Sequence, residues 1–233
     1  MTSGCKHLNS PVVDGGANCL CRGSGYVMSG DPNNGGFIAT RCPAWYEKDT
    51  SRRMSNANIP PRFASATVGD FSTSELPASF WKWIKEPGDK HSVWMSGGPG
   101  IGKSHLAAAL VKRAVKEGAN ALWIDSVDWA NSTRDRTAES KQHVVARTDV
   151  LVIDDLDKVR MTPWIQEQMW LLIKARCEED LVTIVTSNKR AGEWADEHGA
   201  GPAIKSRFAA HYLPVSIDSN DRRMAKMARR ERQ

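Results

Sequence analysis

Apolar and polar positions along this chain change their spacing repeatedly, and from residue 92 onward the changes alternate regularly. Between Glu75 and Lys85 apolar residues recur at helical spacing, with Trp81, Trp83 and Ile84 in the set and Pro87-Gly88 ending it. The tryptophans are assigned to a core rather than to a base-stacking surface. A short apolar run at Ser92–Met95 reads as a buried strand. Ser104–Glu117 is amphipathic, with Leu106, Leu110, Val111 and Val115 on one face and Gly118 where a C-terminal cap belongs. Ala121–Asp125 reads as a strand, the polar stretch through Val144 as helical, and Asp149–Asp155 as a strand. Trp164–Arg176 is an amphipathic helix, Leu181–Asn188 a buried strand and Tyr212–Ile217 a last strand. Strand and helix in alternation predict an α/β fold: a parallel sheet with right-handed crossovers and helices on both faces. Ligand chemistry then belongs at the carboxyl ends of the strands.

The first 45 residues follow another pattern, rich in Gly, Asn, Pro and Ser with scattered apolar positions such as Leu20, Val27, Phe37 and Ile38. So short a segment cannot bury enough apolar surface to fold alone. Four of the five cysteines lie in the first 42 residues. In a reducing compartment such clustering points to a metal before disulfides, and structural zinc contributes on the order of 10 kcal/mol. Cys5, His7, Cys19, Cys21 and Cys42 offer five groups for four tetrahedral positions. The Cys19-x-Cys21 spacing departs from the usual C-x₂-C, which leaves the ligand set open, and the alternative is an arm with free thiols. Residues 46–70 read as a linker, 71–221 as the main domain and 222–233 as a basic tail.

Composition adds two limits. No apolar run is long enough to cross a bilayer, and the N-terminus lacks the apolar stretch of a secretory signal. The expectation is a cytoplasmic protein without membrane partners. The net charge of +5 is accounted for by the tail Arg222–Arg232, with six basic residues and one acid. That tail is either a nucleic-acid footprint or a solvated end.

The chemistry is carried by two segments about fifty residues apart. Ser96-Gly97-Gly98-Pro99-Gly100-Ile101-Gly102-Lys103-Ser104 matches G-x-x-x-x-G-K-S between a strand and a helix. Its glycines let backbone N–H groups wrap phosphates, Lys103 reaches the β- and γ-phosphates, and the Ser104 hydroxyl can ligate Mg²⁺. Val150-Leu151-Val152-Ile153-Asp154-Asp155 is a buried strand delivering acids to its carboxyl end. Asp154 is expected to hold Mg²⁺ with Ser104, and Asp155 to polarise the attacking water. Asn188, ending the neighbouring strand, is placed to position that water or meet the γ-phosphate. Arg207, near the domain edge, either reaches the γ-phosphate of a neighbouring subunit or is a surface arginine. The chain reads as a nucleotide-binding protein.

Residues 59–223 resemble the DnaC-like bacterial and phage replicative-helicase loaders, a group of AAA+ P-loop NTPases that also contains the IstB transposition ATPases. The resemblance rests on Ile59-Pro60-Pro61-Arg62-Phe63, Gly102-Lys103-Ser104-His105-Leu106-Ala107, Ile153-Asp154-Asp155-Leu156, Thr186-Ser187-Asn188, Ala203-Ile204-Lys205-Ser206-Arg207-Phe208 and Asp221-Arg222-Arg223, in the family's order. It implies an ATP site that includes His105, Asn188 as first sensor, Arg207 as a finger acting in trans, and Arg222 or Arg223 as second sensor. It also implies contact with single-stranded DNA near Ser126–Thr137, through Trp129, Arg134 and Arg136, the alternative being a solvated face with Trp129 packed inward. Three positions depart from the family's habit: Ser104 replaces Thr, Asp157 stands where Gly is usual, and Cys177 where Tyr is common.

The resemblance implies a slow ATPase, working as a homo-oligomer, that places a hexameric DnaB-type helicase on single-stranded DNA, with the cysteine-rich module as helicase dock. The alternative is an IstB-like helper of transposition. A third reading makes ATP a conformational ligand with negligible turnover.

Overall fold

The computed structural model describes residues 26–29, 38–86, 91–133 and 144–219. The chain divides into two compact units, Met1–Ser55 and Asn56–Gln233.

In the first unit, β1 (Tyr26–Ser29) and β2 (Ile38–Arg41) pair antiparallel, Val27 opposite Thr40. Helix α1 (Pro43–Asn56) follows directly. Cys42, at the junction, is fully buried under Val27, Ala44 and Trp45. The polar run expected to begin a linker is thus helical. Asp49 supports it by accepting from Arg52 and Arg53, each at 2.6 Å, one turn ahead.

The second unit opens with two 3₁₀ turns, Pro61–Phe63 and Val68–Asp70. Helix α2 (Ala78–Trp83) is shorter than the apolar spacing suggests. Pro77 caps it, and the preceding turn is closed by the Ser72 amide donating to Glu75 at 2.8 Å. Phe80 is its buried residue, with Trp81 and Trp83 half-buried.

Then comes the alternation: β3 (Ser92–Ser96), α3 (Lys103–Lys116), β4 (Ala121–Asp125), α4 (Ser126–Ser132), β5 (Val150–Asp154) and α5 (Pro163–Glu178). It ends with β6 (Val182–Ser187), α6 (Ala191–Glu197), α7 (Pro202–His211) and β7 (Tyr212–Ser216). The five strands form one parallel sheet in the order β4-β5-β6-β3-β7. The boundaries of α3, β4, β5, β6 and β7 fall within a residue or two of those read from the spacing. Gly118 has φ +100°, as a glycine cap requires.

Period-two alternation divides the sheet between two cores. Trp94, Leu151, Ile153 and Val185 pack with Ile165, Met169, Ile173, Trp194 and Phe208 of the later helices. Helix α3 lies near β4, β5 and β6 on the other side, where Leu106, Val111 and Val115 are buried. Helices α6 and α7 are not evident in the sequence, because they are short and interrupted at Gly199-Ala200-Gly201. Each buries two residues, Trp194 and Ala195 or Ile204 and Phe208, too few to make a period.

Arg176 holds the base of the sheet together. Its guanidinium is fully buried, and burial pushes it down to about 10, still protonated at neutral pH. It donates to Thr183 Oγ1 at 2.8 Å, to the Val145, Ala146 and Thr148 carbonyls at 3.1, 3.2 and 3.0 Å, and to Val182 O at 2.6 Å.

Candidate functional site

The loop between β3 and α3 lies at the carboxyl edge of the sheet, with β6 and β7 on either side of its strand. Gly97 enters it at φ +140°, and a Cβ there would come within 2.4 Å of Ile101 Cδ1. The backbone therefore favours glycine, while the Ile101 methyl, at the end of a flexible side chain, could move aside. Gly100 and Gly102 also take positive φ, at +79° and +109°. The loop turns back on itself, and its last residue starts the helix.

Lys103, 6% exposed, folds over this loop. Its ammonium donates to Gly97 O at 2.7 Å, Gly98 O at 2.8 Å and Asn188 Oδ1 at 2.9 Å. Ser104 Oγ donates to Asp154 Oδ1 at 2.7 Å, and Thr186 Oγ1 donates to the same oxygen at 2.6 Å. Burial holds the Asp154 carboxyl above the usual carboxylate range, and the two hydroxyls pull against that shift. Thr186 also accepts from the Asp155 amide at 2.8 Å. One threonine thus fixes both acidic residues.

Asp155 takes a left-handed conformation, φ +55° and ψ +49°, which Asp tolerates better than most residues. Its carboxylate pairs with Lys158, one 3₁₀ turn (Leu156–Lys158) further on. Asp157, in the same turn, accepts from Ser187 Oγ and from the Asn188 amide.

These groups border a cavity of about 490 Å³ lined by Pro99, Gly100, Gly102, Lys103, Ser104, His105, Asp155, Lys158 and Asn188, with Arg62, Phe63 and Ser65 on the remaining wall. That wall is fastened to α3. Lys112 donates to the Ala64 and Ala66 carbonyls, and His105 Nε2 lies 2.6 Å from Asp70 Oδ2. The hydrogen bond from His105 holds the Asp70 carboxyl below its usual range. Phe63 stands edge-on to His105, their centroids 6.3 Å apart, and carries the Arg62 guanidinium 4.8 Å over its ring. The cavity offers cations and backbone donors at one end, hard oxygen ligands beside them and aromatic rings at the other. That set suits a nucleoside polyphosphate with a divalent cation.

The structure therefore brings together Lys103, Ser104, Asp154, Asp155, Asn188 and His105. Arg207 does not line this cavity. It lies on α7, where its guanidinium donates to Ala203 O at 3.2 Å and to Glu178 of α5 at 3.4 Å. Trp129, expected to offer a stacking face to DNA, is 6% exposed and belongs to the apolar core. Its ring is taken up in packing α4 against the sheet. Arg134, Arg136, Arg222 and Arg223 lie outside the described residues, as do Cys5, His7, Cys19 and Cys21. Among the described residues no cluster of three or more His, Cys, Asp or Glu could hold a metal, and no helix is long and apolar enough to cross a membrane.

Thr186, Asp157 and Lys158 are site residues to which spacing does not point. Phe63 and Arg62 are visible as part of a motif, but nothing local to Pro60-Pro61-Arg62-Phe63 places them opposite Lys103.

The chain is similar to insertion sequence ATP-binding proteins, to a replicative helicase loader and, at 30% identity over 68% of this chain and 33% of their own length, to chromosomal replication initiator proteins DnaA of Francisella. An insertion sequence ATP-binding protein of Geobacillus stearothermophilus is 28% identical over 142 residues, covering 58% of this chain and 56% of its own length. The replicative helicase loader DnaI of Bacillus subtilis is 26% identical over 159 residues, covering 62% of this chain and 51% of its own length. The chain thus spans little more than half the length of these last two relatives. Among solved structures, the DnaC helicase loader superposes with a TM-score of 0.57 at 21% identity, covering 68% of this chain and 100% of that one. DnaI superposes with a TM-score of 0.57 at 19% identity, covering 69% of this chain and 95% of that one. At such identities the likeness is one of fold. The profile of the IstB-like ATP-binding proteins matches residues 74–229, and the chain belongs to that family of AAA+ P-loop ATPases.

Proposed function

We propose that this chain hydrolyses ATP and uses the cycle to load a replicative DNA helicase onto single-stranded DNA. The observation that carries the ATPase reading is the meeting of Lys103, Ser104 and Asn188 around one cavity, with Lys103 bonded to Asn188 and Ser104 to Asp154, so that three separate strand ends are joined. Backbone amides of 97–104 and Lys103 bind the phosphates, and Asn188 and Asp155 orient the water. Ser104 and Asp154, two hard oxygen donors 2.7 Å apart, fit Mg²⁺, which when bound would neutralise charge on the transferring phosphoryl group. Arg207, outside the cavity of its own subunit, acts on the site of a neighbour in a homo-oligomer.

The loader reading is supported by the similarity to DnaI and by the separate N-terminal unit. We assign that unit as the helicase dock, held by zinc through ligands drawn from Cys5, His7, Cys19, Cys21 and Cys42. The second reading, an ATPase helper of transposition acting on duplex DNA, is favoured by the family match and the insertion-sequence relatives.

Light scattering after size exclusion separates the two. Full-length protein and a chain lacking its first 55 residues are each mixed with a hexameric replicative helicase, ATP and Mg²⁺. A stoichiometric complex that requires the N-terminal unit supports the loader. Absence of a complex, with ATP-driven assembly on duplex DNA, replaces it with the transposition helper. Metal analysis of the full-length chain finds one zinc per chain if the dock is as assigned.

A further inference from the structure

The β5–β6 ladder runs out at Ile153 opposite Val185. Beyond it the two strand ends are joined by side chains, and the outermost joint is Asp157. Both carboxylate oxygens lie 2.8 Å from the Asn188 amide nitrogen, and one also accepts from Ser187 Oγ. Ser187 is fully buried and itself accepts from the Lys189 amide at 2.9 Å, while Lys189 O accepts from Trp94 Nε1 at 2.8 Å. The other end of the joint is just as firm. Asp157 sits between Leu156, 1% exposed, and Lys158, which holds Asp155. A carboxylate accepting from a backbone amide makes a bond about twice as strong as a neutral one.

We propose that Asp157 is a positioning residue of the phosphate site. It ties the backbone of Asn188 to the turn that carries Asp155, so the amide meeting Lys103 and the carboxylate facing the cavity keep one spacing. The consequence for chemistry follows from reach. Asn188 Oδ1 stands 2.9 Å from the Lys103 ammonium, whose other acceptors are the loop carbonyls of Gly97 and Gly98. A shift of the Asn188 backbone by about an ångström breaks that contact, and misplacement on this scale costs about 10²-fold in rate. A glycine at 157 would leave the Asn188 amide without this anchor.

This inference rests on the ATPase reading above, and its test separates the two. Phosphate release and binding of a fluorescent ATP analogue with Mg²⁺ are measured for wild type, Asp157→Ala, Asp157→Asn, Asn188→Ala and the Asp157→Ala/Asn188→Ala double variant. Asp157→Ala is expected to lower kcat by about 10–100-fold while the analogue's Kd moves less than about twofold. Asp157→Asn, which keeps the shape and one acceptor, falls between. In the double variant kcat matches Asn188→Ala alone, because Asp157 acts through Asn188. Multiplying losses in the double variant, or a loss confined to Kd, would overturn the proposal. Hydrogen exchange at the Asn188 amide judges the joint without reference to turnover: protection in wild type, its loss in Asp157→Ala and an intermediate rate in Asp157→Asn are expected. Equal exchange in all three overturns the proposal even if ATP is hydrolysed. Wild type that releases no phosphate removes the ATPase reading and leaves the exchange result to decide the joint.

Discussion

Lys103 and Asn188 are 85 positions apart in sequence and share a hydrogen bond of 2.9 Å. Through it the loop after β3 and the end of β6 become one surface. Each main feature of the site can be probed by changing one partner of such a contact.

Lys103→Ala removes three charge-assisted bonds and the cation that would meet the phosphates. One such bond is worth about 1.5–3 kcal/mol, so ATP affinity is expected to fall by at least about 10–100-fold. Titration of the fluorescent analogue in the presence of Mg²⁺ measures it, and unchanged affinity would remove Lys103 from the site.

Asp154→Asn separates function from stability. A carboxyl held above its unfolded value contributes stability below that value and loses it as pH rises through the folded one. With the Asp154 carboxyl raised by burial, its ionised form costs stability at neutral pH. Without metal, the variant should therefore melt higher than wild type at neutral pH, and the gap should close as pH falls into the carboxylate range. Mg²⁺-dependent turnover falls by about 10²-fold or more. Thermal melts across pH, with and without Mg²⁺, check both halves.

Lys158→Met frees the Asp155 carboxylate from its ion pair. Exposed pairs of this kind are worth about 0.2–1 kcal/mol, which sets the expected rise in kcat at no more than about fivefold. A fall in kcat instead would make Lys158 part of the phosphate-binding set.

Arg207→Ala is expected to bind ATP as wild type does and to hydrolyse it about 10³-fold more slowly. The informative measurement is a mixture: Arg207→Ala and Lys103→Ala subunits together recover part of the activity if each supplies what the other lacks. No recovery at any ratio would place Arg207 outside the active site and leave it as the partner of Glu178.

Arg176→Met leaves the buried carbonyl of Val145 and the part-buried carbonyls of Ala146, Thr148 and Val182 short of a donor. A loss of about 3 kcal/mol or more is expected in denaturant melts. Arg176→Lys recovers little, because an ammonium cannot span the same fork of acceptors.

The parts of this site that can be read in advance are those whose chemistry is local. Gly97 through Ser104 form a continuous backbone turn, and Val150–Asp155 is a strand that carries its acids at its own end. Both appear as patterns in adjacent residues. Thr186, Asp157 and Phe63 act across contacts 30 or more positions long, for example Ser187 with Asp157, and a linear pattern has no term for them. Trp129 shows the converse. An aromatic beside basic residues suggests a binding face, but whether the ring turns outward is decided by the space between α4 and the sheet. The polar run Pro43–Asn56 is unreadable as a helix for a third reason: none of its side chains is buried, so it has no apolar stripe to report.

The sheet order has a consequence for how the protein is made. The strand that leads into the phosphate loop is complete at Ser96, yet its two neighbours, β6 and β7, begin only at Val182 and Tyr212. A nascent chain ending before Val182 has β3 with no strand to pair with, and pairing across such separations is slow. Nucleotide binding would then wait until synthesis has passed Ser216, and ATP would stabilise only chains that already carry β6 and β7.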